Sequence, residues 1–470
     1  MLETVKSPYL LGSYAPVDKE VEGSCELIAG EVPRDLFGVL VRNGPNPRFE
    51  PKGRYHWFDG DGMLHAFHIE NGTVSYRNRW VRTRGLEKEE AAGTALWGGI
   101  MDSIKGNPGP PYKDTANTDV VFHRGAVYPF WYLCGSAYRV DPKTLETTGR
   151  DDFGGTYKGV MSAHSKVDER TGDLLFFDYG PIAPFMHFGI IDAEGKMTKR
   201  VPVELPGPRL PHDLALTEDY GIVMDLPIVF DTTAMMQGRW KTSFDRNLPA
   251  RFALVPRKGD GAVRWFEAEP CYMYHSVNAW QEGDEVVLVG CRVAEPFQEP
   301  RPEEGPYAVM MATLRISAAL HEWRFDLKTG KTKERALDDR NAEFPTFDRR
   351  TIGRKTRFSY NVLIGAEPTV YFDGVAKYDL STGKSDALVF GPGRRGSESP
   401  FAPRVGSTEE DDGYVLSIVH DEREDRSELW IIDAKDVARG PVARLRVPQR
   451  VPLGFHALFV PGEKLAEKVA

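Results

Sequence analysis

Four of the eleven histidines in this chain stand where a side chain could serve as a metal ligand. Each lies beside apolar, strand-like sequence in a different part of the chain, and the four are His164, His212, His275 and His456. Imidazole is a good ligand for iron, zinc or copper, so four such rings brought to one point could hold an ion. The alternative is four unrelated core or loop histidines, and the residues by themselves leave both interpretations open.

Two glutamates stand in short apolar or proline-containing segments, where a charge needs a partner. Glu343 lies in Ala-Glu-Phe-Pro and Glu398 lies in Ser-Glu-Ser-Pro. A ligating histidine normally donates its second ring N–H to a carboxylate, which fixes the tautomer and offsets part of the metal charge. These glutamates are therefore candidates for that role, with a pair of exposed loop glutamates as the alternative.

Composition and motifs argue against several other functions. The net charge is −9 and no basic run studded with aromatic residues occurs, so we expect no nucleic-acid partner. The chain has no G-x-S-x-G, P-loop, H-E-x-x-H or dinucleotide-binding motif, which disfavours the common hydrolases, nucleotide-binding enzymes and zinc proteases. There is no apolar stretch of about 18 residues and no signal-peptide pattern, so we expect a cytoplasmic protein.

The elements that must position these residues are predicted from the turns. An Asp followed within a few residues by Thr, and usually by Gly, recurs at Asp141, Asp168, Asp326 and Asp379. Asp caps its own backbone and Gly supplies the positive φ of a tight turn, so each motif predicts a hairpin. The flanking segments are β-branched or aromatic and too short for buried helices. We therefore predict an all-β fold, a radial array of hairpins that forms a β-propeller, with a sandwich or barrel as the alternative.

The rest of the chain predicts one propeller domain over 1–470 with additions on one face. The segments 84–96 and 310–321 are predicted to form short helices, and an N-terminal extension covers about 1–25. Helical and loop elements at about 84–115, 226–250 and 296–322 are expected to cap that face, because long connections tend to cover a site.

The sequence resembles the carotenoid cleavage oxygenase family, which includes apocarotenoid-, lignostilbene- and isoeugenol-cleaving enzymes and the retinoid isomerohydrolase. The resemblance implies a seven-bladed propeller with one Fe(II) per chain, bound by the four histidines and supported by Glu343 and Glu398. A third supporting glutamate of the family is absent, because Tyr132 or Leu133 stands at its place. The motifs that carry the resemblance are the four histidine segments in the family's order, Gly-Glu-Val-Pro-Arg-Asp-Leu-Phe-Gly at 30–38, Arg-Asn-Gly-Pro-Asn-Pro at 42–47, Trp-Phe-Asp-Gly-Asp-Gly-Met at 57–63 and Val-Pro-Leu-Gly-Phe-His at 451–456.

The resemblance also implies a function, a dioxygenase that cleaves a C=C bond of an apolar conjugated substrate with O2 to give two carbonyl products. No flavin or nicotinamide is implied, and Thr118 resembles the residue that crowds one face of the iron. The alternatives are oxidative cleavage of phenolic stilbenes or phenylpropanoids, a non-oxygenating isomerohydrolase, and a silent propeller that serves as a binding module.

The expected substrate is an apocarotenoid-like polyene held in an apolar tunnel. Family members that cleave phenolic compounds hold the phenol with a Tyr and a Lys. In this chain the residues that look like the matching ones are Met101 and Tyr132. The segment 226–240 is a candidate tunnel mouth that touches membranes peripherally to collect lipophilic substrate. The oligomeric state is left open. The expected tunnel lining is Phe58, Met101, Tyr132, Phe230, Trp240, Phe344 and Phe455.

Overall fold

Hairpins of short antiparallel strands make up most of the chain. The computed structural model describes residues 6–365 and 368–466. At one predicted turn, Oδ1 of Asp326 accepts from the backbone N–H groups of Lys328 (2.8 Å) and Thr329 (2.9 Å). Gly330 ends this turn with a φ of +73°. The Asp141 and Asp379 motifs form turns with the same Asp caps, so the hairpin predictions are confirmed there.

The strands form seven sheets, which are the blades of a propeller, so the predicted fold and the implied number of blades are confirmed. A small pair of strands, Ile228–Phe230 and Thr242–Phe244, is added beside blade 4. Numbered along the chain, the blades contain the following strands: blade 1, Glu22–Ser24, Gly38–Pro45, Gly62–Glu70, Thr73–Trp80 and Ala457–Pro461; blade 2, Asp119–His123, Ala126–Phe130, Tyr138–Val140 and Thr147–Arg150; blade 3, Lys166–Val167, Leu174–Tyr179, Met186–Ile191 and Met197–Pro202; blade 4, Ala215–Leu216, Tyr220–Asp225, Ala250–Pro256 and Arg264–Ala268; blade 5, Tyr272–Glu282, Glu285–Val293, Ala319–Asp326 and Thr332–Ala336; blade 6, Ala342–Thr346, Phe358–Gly365, Tyr371–Asp379 and Lys384–Val389; blade 7, Glu26–Gly30, Arg394–Arg395, Phe401–Pro403, Gly413–Asp421, Arg426–Asp433 and Pro441–Arg446.

Strands from the two ends of the chain close the ring. In blade 1, Gly38–Pro45 pairs with Gly62–Glu70 on one side and with Ala457–Pro461 on the other. Within the expected N-terminal extension, Glu22–Ser24 pairs with Thr73–Trp80 of the same blade, and residues 1–5 lie outside the described part. Because Ala457–Pro461 is the innermost strand of blade 1, closure brings the segment just before Ala457 to the propeller axis.

The long insertions share one face of the propeller. The innermost strands contact one another between blades 1 and 2, 2 and 3, 4 and 5, 5 and 6, and 7 and 1. Because adjacent strands are antiparallel, the connection after a second or fourth strand lies on the face where the innermost strands begin. The insertions 46–61, 81–118, 226–249 and 294–318 all follow second or fourth strands. We call this face the cap face.

Helices are few and short. The predicted helix at 84–96 is confirmed over Arg84–Ala92, where Oγ1 of Thr83 accepts from the N–H of Leu86 at 3.1 Å. The helix predicted at 310–321 is wrong beyond Thr313, because His321 lies in a strand that pairs with Glu285–Val293. No helix of the described residues is long and apolar enough to span a membrane. The α-helices are Arg84–Ala92, Thr232–Met236, Ala308–Thr313 and Gly462–Ala466, and the 3₁₀ turns are Pro8–Leu10, Gly12–Tyr14, Trp57–Asp59, Pro302–Tyr307, Arg349–Thr351 and Val437–Arg439.

Candidate metal centre

The four predicted histidine rings meet at the hub of the propeller. The ring centroid of His164 lies 4.7 Å from that of His212, 4.9 Å from His275 and 4.5 Å from His456. The centroid of His275 lies 5.1 Å from His212 and 4.6 Å from His456. All four side chains are buried. Residues far apart in the chain therefore form one cluster, and the interpretation of four unrelated histidines does not describe this arrangement.

The beginnings of the innermost strands position these rings. His164, His212 and His456 stand just before the innermost strands of blades 3, 4 and 1, and His275 lies at a bulge in the innermost strand of blade 5. The backbone of His164 has a φ of +68°, a left-handed conformation that is uncommon for a residue with a Cβ atom. Strain of this kind persists only where the surroundings hold it, and it is frequent at functional sites.

Glu343 and Glu398 each hold one of the histidines. Nδ1 of His275 donates to Oε2 of Glu343 at 2.5 Å, and the backbone N–H of His275 donates to Oε1 at 3.2 Å. Nδ1 of His456 donates to Oε1 of Glu398 at 3.0 Å. The two glutamates come from the innermost strand of blade 6 and the segment before that of blade 7, and both are buried. The alternative of exposed loop glutamates is therefore wrong.

Burial sets the protonation of the cluster. It lowers the pKa of His164, His212 and His275 well below the ordinary value, and charge on neighbouring histidines adds to the effect. These three rings are neutral at pH 7 and have lone pairs to offer. Burial lowers the pKa of His456 too, but the charge and hydrogen bond of Glu398 outweigh it and the net shift is upward. Burial raises the pKa of Glu343 to about 8, so a nearby cation is needed to favour its ionised form at neutral pH.

The donor set fits a transition-metal ion. Nε2 of His164 and Nε2 of His275 are buried and have no hydrogen-bond partner among residues 6–365 and 368–466. One nitrogen each of His164, His212 and His275 lies within 4.8 Å of the others. A buried polar atom without a partner is costly, and a metal ion at the shared point would satisfy these nitrogens. Imidazole donors suit iron, zinc or copper, whereas calcium prefers oxygen.

Apolar rings lie directly beside the histidines. The ring centroid of Phe344 lies 4.7 Å from that of His275 and 5.0 Å from that of His456. Phe344 itself has a φ of +50°, at an irregularity in the innermost strand of blade 6. Phe58 lies 4.7 Å from Phe455, again between ring centroids. Part of the predicted tunnel lining therefore surrounds the centre.

The other predicted lining residues lie further out or beside this group. Phe230, in the strand pair beside blade 4, packs against Trp240 in the connection between the two strands, with ring centroids 4.8 Å apart. Met101 is partly buried against the same core cluster as Phe58. Tyr132 contacts Phe58 edge to face at 4.9 Å. The structure thus places Phe344 beside the histidines, joins Phe455, Phe58 and Tyr132 by ring contacts, and pairs Phe230 with Trp240.

Thr118 links the histidines to Phe58. The backbone N–H of His456 donates to the carbonyl oxygen of Thr118 at 3.2 Å. The Thr118 hydroxyl donates to Oδ1 of Asn117 at 2.9 Å and accepts from the N–H of Tyr132 at 3.3 Å. Nδ2 of Asn117 in turn donates to the carbonyl oxygen of Phe58 at 2.9 Å. The hydroxyl is therefore engaged in positioning the residues around it.

Comparison with known proteins identifies the family. The family model described as retinal pigment epithelial membrane protein matches residues 14–461. The chain belongs to the carotenoid cleavage oxygenase family. It is 36% identical over 500 residues to carotenoid 9,10(9',10')-cleavage dioxygenase 1 of Pisum sativum, which covers 98% of this chain and 91% of that protein. This member of the family is therefore an oxygenase rather than a silent binding module.

Solved structures agree with this assignment. The lignostilbene dioxygenase of Pseudomonas brassicacearum is 29% identical with a TM-score of 0.87, over 98% of this chain and 100% of that one. The cobalt-substituted apocarotenoid oxygenase of Synechocystis is 25% identical with a TM-score of 0.83, over 95% of this chain and 97% of that one. The family resemblance expected from the sequence motifs is thereby confirmed.

One histidine of this family member lacks a carboxylate partner. The missing glutamate is expected at Tyr132 or Leu133, and the ring centroid of Tyr132 lies 6.2 Å from that of His212. Tyr274 lies 5.1 Å from the same ring. Within the described ranges, no hydrogen bond reaches a ring nitrogen of His212. The next residue, Asp213, is fixed instead, because its Oδ2 accepts from the N–H of Ser276 at 2.8 Å.

Sequence reasoning missed three charged residues at the hub. Asp119, Lys166 and Asp213 line a cavity of about 100 Å³ together with three of the histidines, and Lys166 and Asp213 form an ion pair at 2.8 Å. The available signal was position: Asp119 follows Thr118 at the start of an apolar strand, and Asp213 follows His212. None of the seven expected tunnel residues borders this cavity. This chamber is lined by charged side chains and by apolar ones such as Val120, Leu216 and Phe459, and it does not include the expected tunnel residues.

Proposed function

We propose that this oxygenase uses one Fe(II) ion to cleave a C=C bond of an apocarotenoid-like polyene with O2. The observation that carries the proposal is the cluster of His164, His212, His275 and His456, with ring centroids 4.5–5.1 Å apart in five of the six pairs. Two of the Nε2 atoms are buried without a partner in the described part of the chain, which is what a missing ion would leave. Bound Fe(II) would supply the activation of O2 beside the alkene, and two carbonyl products would result.

The protein's own residues hold the ligands and the substrate. Glu343 and Glu398 accept from Nδ1 of their histidines, which leaves the Nε2 lone pairs for the ion. The same carboxylates place two negative charges near a dication. Phe58, Phe344 and Phe455 give the site an apolar wall that keeps water away from a conjugated chain.

Phenolic stilbenes and phenylpropanoids are the second candidate substrates. The observation in their favour is that the rings of Tyr132 and Tyr274 lie beside His212, while neither hydroxyl makes a hydrogen bond to another described residue. A phenol could accept such a bond. The likeness to the lignostilbene dioxygenase supports this candidate, whereas Met101, at a phenol-holding position of the family, offers no polar group.

The test is oxidative cleavage by the iron-loaded enzyme. The metal-free protein is loaded anaerobically with Fe(II) and given 18O2 with a panel of apocarotenals and hydroxystilbenes, and aldehydes are identified by mass spectrometry. We expect labelled carbonyl products from apocarotenals, lost in His275→Ala. Products from hydroxystilbenes alone would favour the second candidate, and unlabelled products would favour an isomerohydrolase. A protein that binds no iron under these conditions would overturn the proposal.

We further propose that the cap face contacts membranes peripherally, where lipophilic substrate is found. Ile182 is 80% exposed, Met236 81% and Val309 65%, and each lies in a connection after a second strand, on the cap face. Exposed apolar side chains on one face suit an interfacial contact. We expect the protein to float with liposomes and the double variant Met236→Glu, Val309→Glu to remain in the dense fraction. No flotation of the native protein would reject this contact.

A further inference from the structure

Polar residues reach the hub from every blade, and six of the blades contribute a histidine or a glutamate that already has a role. Four blades supply the histidines, and blades 6 and 7 supply Glu343 and Glu398. The seventh residue is Asp119, the first residue of the innermost strand of blade 2. Blade 2 stands between the blades that carry His456 and His164, because Asp119–His123 contacts both Ala457–Pro461 and Lys166–Val167. The position of Asp119 is therefore equivalent to that of the other hub residues.

The carboxylate of Asp119 lies close to two of the four rings. One carboxylate oxygen of Asp119 and one nitrogen each of His164 and His456 lie within 4.8 Å of one another. Oδ2 of Asp119 also accepts from the backbone N–H of His164 at 2.8 Å. This bond helps to hold the left-handed backbone of His164, which has a φ of +68°.

The surroundings of Asp119 leave its charge without a direct partner. The residue is only 8% exposed. In the described part of the chain no Lys or Arg nitrogen lies within 4.0 Å of its carboxylate. Of the two cations that line the same chamber, Lys166 pairs with Asp213 and Arg349 pairs with Glu169. A buried carboxylate needs a compensating charge, and a metal ion among the histidines would supply it.

We propose that Asp119 replaces the carboxylate that this chain lacks beside His212. It compensates the metal charge and positions His164, so that three carboxylates again surround the four histidines. The inference rests on the proposed function, because it presumes a metal ion at the hub. The expected place of the third carboxylate holds the uncharged Tyr132 or Leu133, and the Tyr132 ring centroid lies 6.2 Å from that of His212. Since Asp119 acts through His164 and its charge, it is a positioning residue.

The first test is the affinity for Co(II), measured by competition with a chelator, with the visible absorption of bound Co(II) as a record of the ligand set. Asp119→Asn removes the charge but keeps an acceptor for the N–H of His164. We expect it to bind Co(II) about ten- to a hundredfold more weakly than the native protein, as is typical when a group supporting a ligand is changed. Asp225→Asn is the matched control, since Asp225 is a buried carboxylate whose charge is paired with Arg209 at 2.8 Å. Its Co(II) affinity should stay within about twofold of native.

The second test separates charge compensation from local structure. Tyr132→Glu introduces a carboxylate beside His212, where the family's third glutamate is expected. In the Asp119→Asn protein we expect this change to restore the affinity to within about threefold of native. In the native background it should change the affinity by less than about threefold, because three carboxylates are already present. Thermal melting of the metal-free variants checks that each is folded.

Each outcome decides the matter. Equal affinity of the native and Asp119→Asn proteins overturns the proposal, and so does a folded double variant that stays weak. If Asp119→Asn does not fold, Tyr132→Glu alone still decides: little change supports the proposal, and a gain of about tenfold or more overturns it. If the native protein binds neither Co(II) nor Fe(II), both the proposed function and this inference are wrong. If the native protein binds metal and Asp119→Asn binds it equally well, only this inference is wrong.

Discussion

At the residue scale, the centre depends on how each ring is held rather than on the rings alone. His275 and His456 are fixed through Nδ1 by Glu343 and Glu398, and His164 through its backbone N–H by Asp119. The two Nδ1 bonds limit the rotation of the His275 and His456 rings, whereas the bond from Asp119 fixes the backbone of His164. Among the described residues, no hydrogen bond holds the ring of His212. This ring lies against the rings of Tyr132 and Tyr274, so its orientation depends on packing. Changes to the supporting carboxylates should therefore weaken the centre without removing a ligand.

Glu343→Gln is the first prediction at this scale. It keeps the shape of the side chain but removes the charge that faces His275 Nδ1. We expect Fe(II) affinity to fall about ten- to a hundredfold, measured by chelator competition under anaerobic conditions. Glu322→Gln is the control, because Glu322 is a buried glutamate paired with Arg324 and Arg335 in blade 5. Parallel losses in the two variants would mean that general destabilisation, not ligand support, explains the effect.

Tyr132→Phe tests the substrate class. The carbon chain of a polyene offers no hydrogen-bonding group to a residue beside the metal centre, so we expect kcat/KM for an apocarotenal whose aldehyde lies away from Tyr132 to stay within about twofold of native. A substrate phenol held by Tyr132 would instead lose a hydrogen bond, which is about tenfold in kcat/KM. Tyr179→Phe is the control for structural effects, since the Tyr179 hydroxyl donates to the carbonyl oxygen of Tyr132 at 2.7 Å. A selective loss with apocarotenals would contradict the expectation that Tyr132 makes no hydrogen bond to the polyene substrate.

At the element scale, local chemistry could be predicted from the sequence and contacts between blades could not. The turn at Asp326 and Gly330 is formed by groups only a few residues apart, so it could be predicted from the motif alone. The apolar pattern around His321 predicts a helix, but the segment forms a strand, because its pairing with Glu285–Val293 outweighs the local pattern. The partners of Asp119 lie in other blades, and nothing in its neighbours along the chain indicates them.

Gly62→Ala tests how one element places the hub. Gly62 begins a strand of blade 1, and an added Cβ would lie 2.4 Å from the carbonyl oxygen of Ala116 and 2.7 Å from that of Thr115. That backbone leads directly to Thr118 and Asp119, so it would have to shift. We expect a loss of about 1–3 kcal/mol in the free energy of unfolding, measured by urea denaturation, as is usual for overpacking.

The matched control for this change is Gly180→Ala, where an added Cβ meets no atom within 4 Å. Its free energy of unfolding should change by no more than about 0.5 kcal/mol, as for most surface substitutions. We also expect Gly62→Ala, and not Gly180→Ala, to weaken Co(II) binding, because only the former displaces the strand that carries Asp119. Equal stability and equal metal affinity of the two variants would show that the backbone before Thr118 has room to yield.

At the scale of the whole molecule, the ring of blades brings residues from distant parts of the chain together at the histidine cluster. The all-β class and hairpin array followed from turn chemistry, but the number of blades came only from the family resemblance, because irregular insertions hide the repeat. The histidines belong to blades 1, 3, 4 and 5, and blade 1 is closed by strands from the two ends of the chain. An ion bound by all four would therefore connect blades that are distant in sequence.

Metal removal should accordingly lower the stability of the whole propeller. An ion that binds only the folded chain stabilises it by about 4 kcal/mol when its free concentration is a thousand times Kd. We expect the Tm to fall when the metal is chelated and to recover when Fe(II) is returned anaerobically. His456→Ala, which removes the ligand next to the closing strand, should melt at one temperature with or without metal. His321→Ala is the control, because His321 lies in blade 5 and its Nε2 bonds Glu334 at 3.1 Å. This variant should keep the full difference in Tm between the metal-bound and the metal-free protein. If chelation leaves the native Tm unchanged, the histidine cluster does not join the blades through an ion.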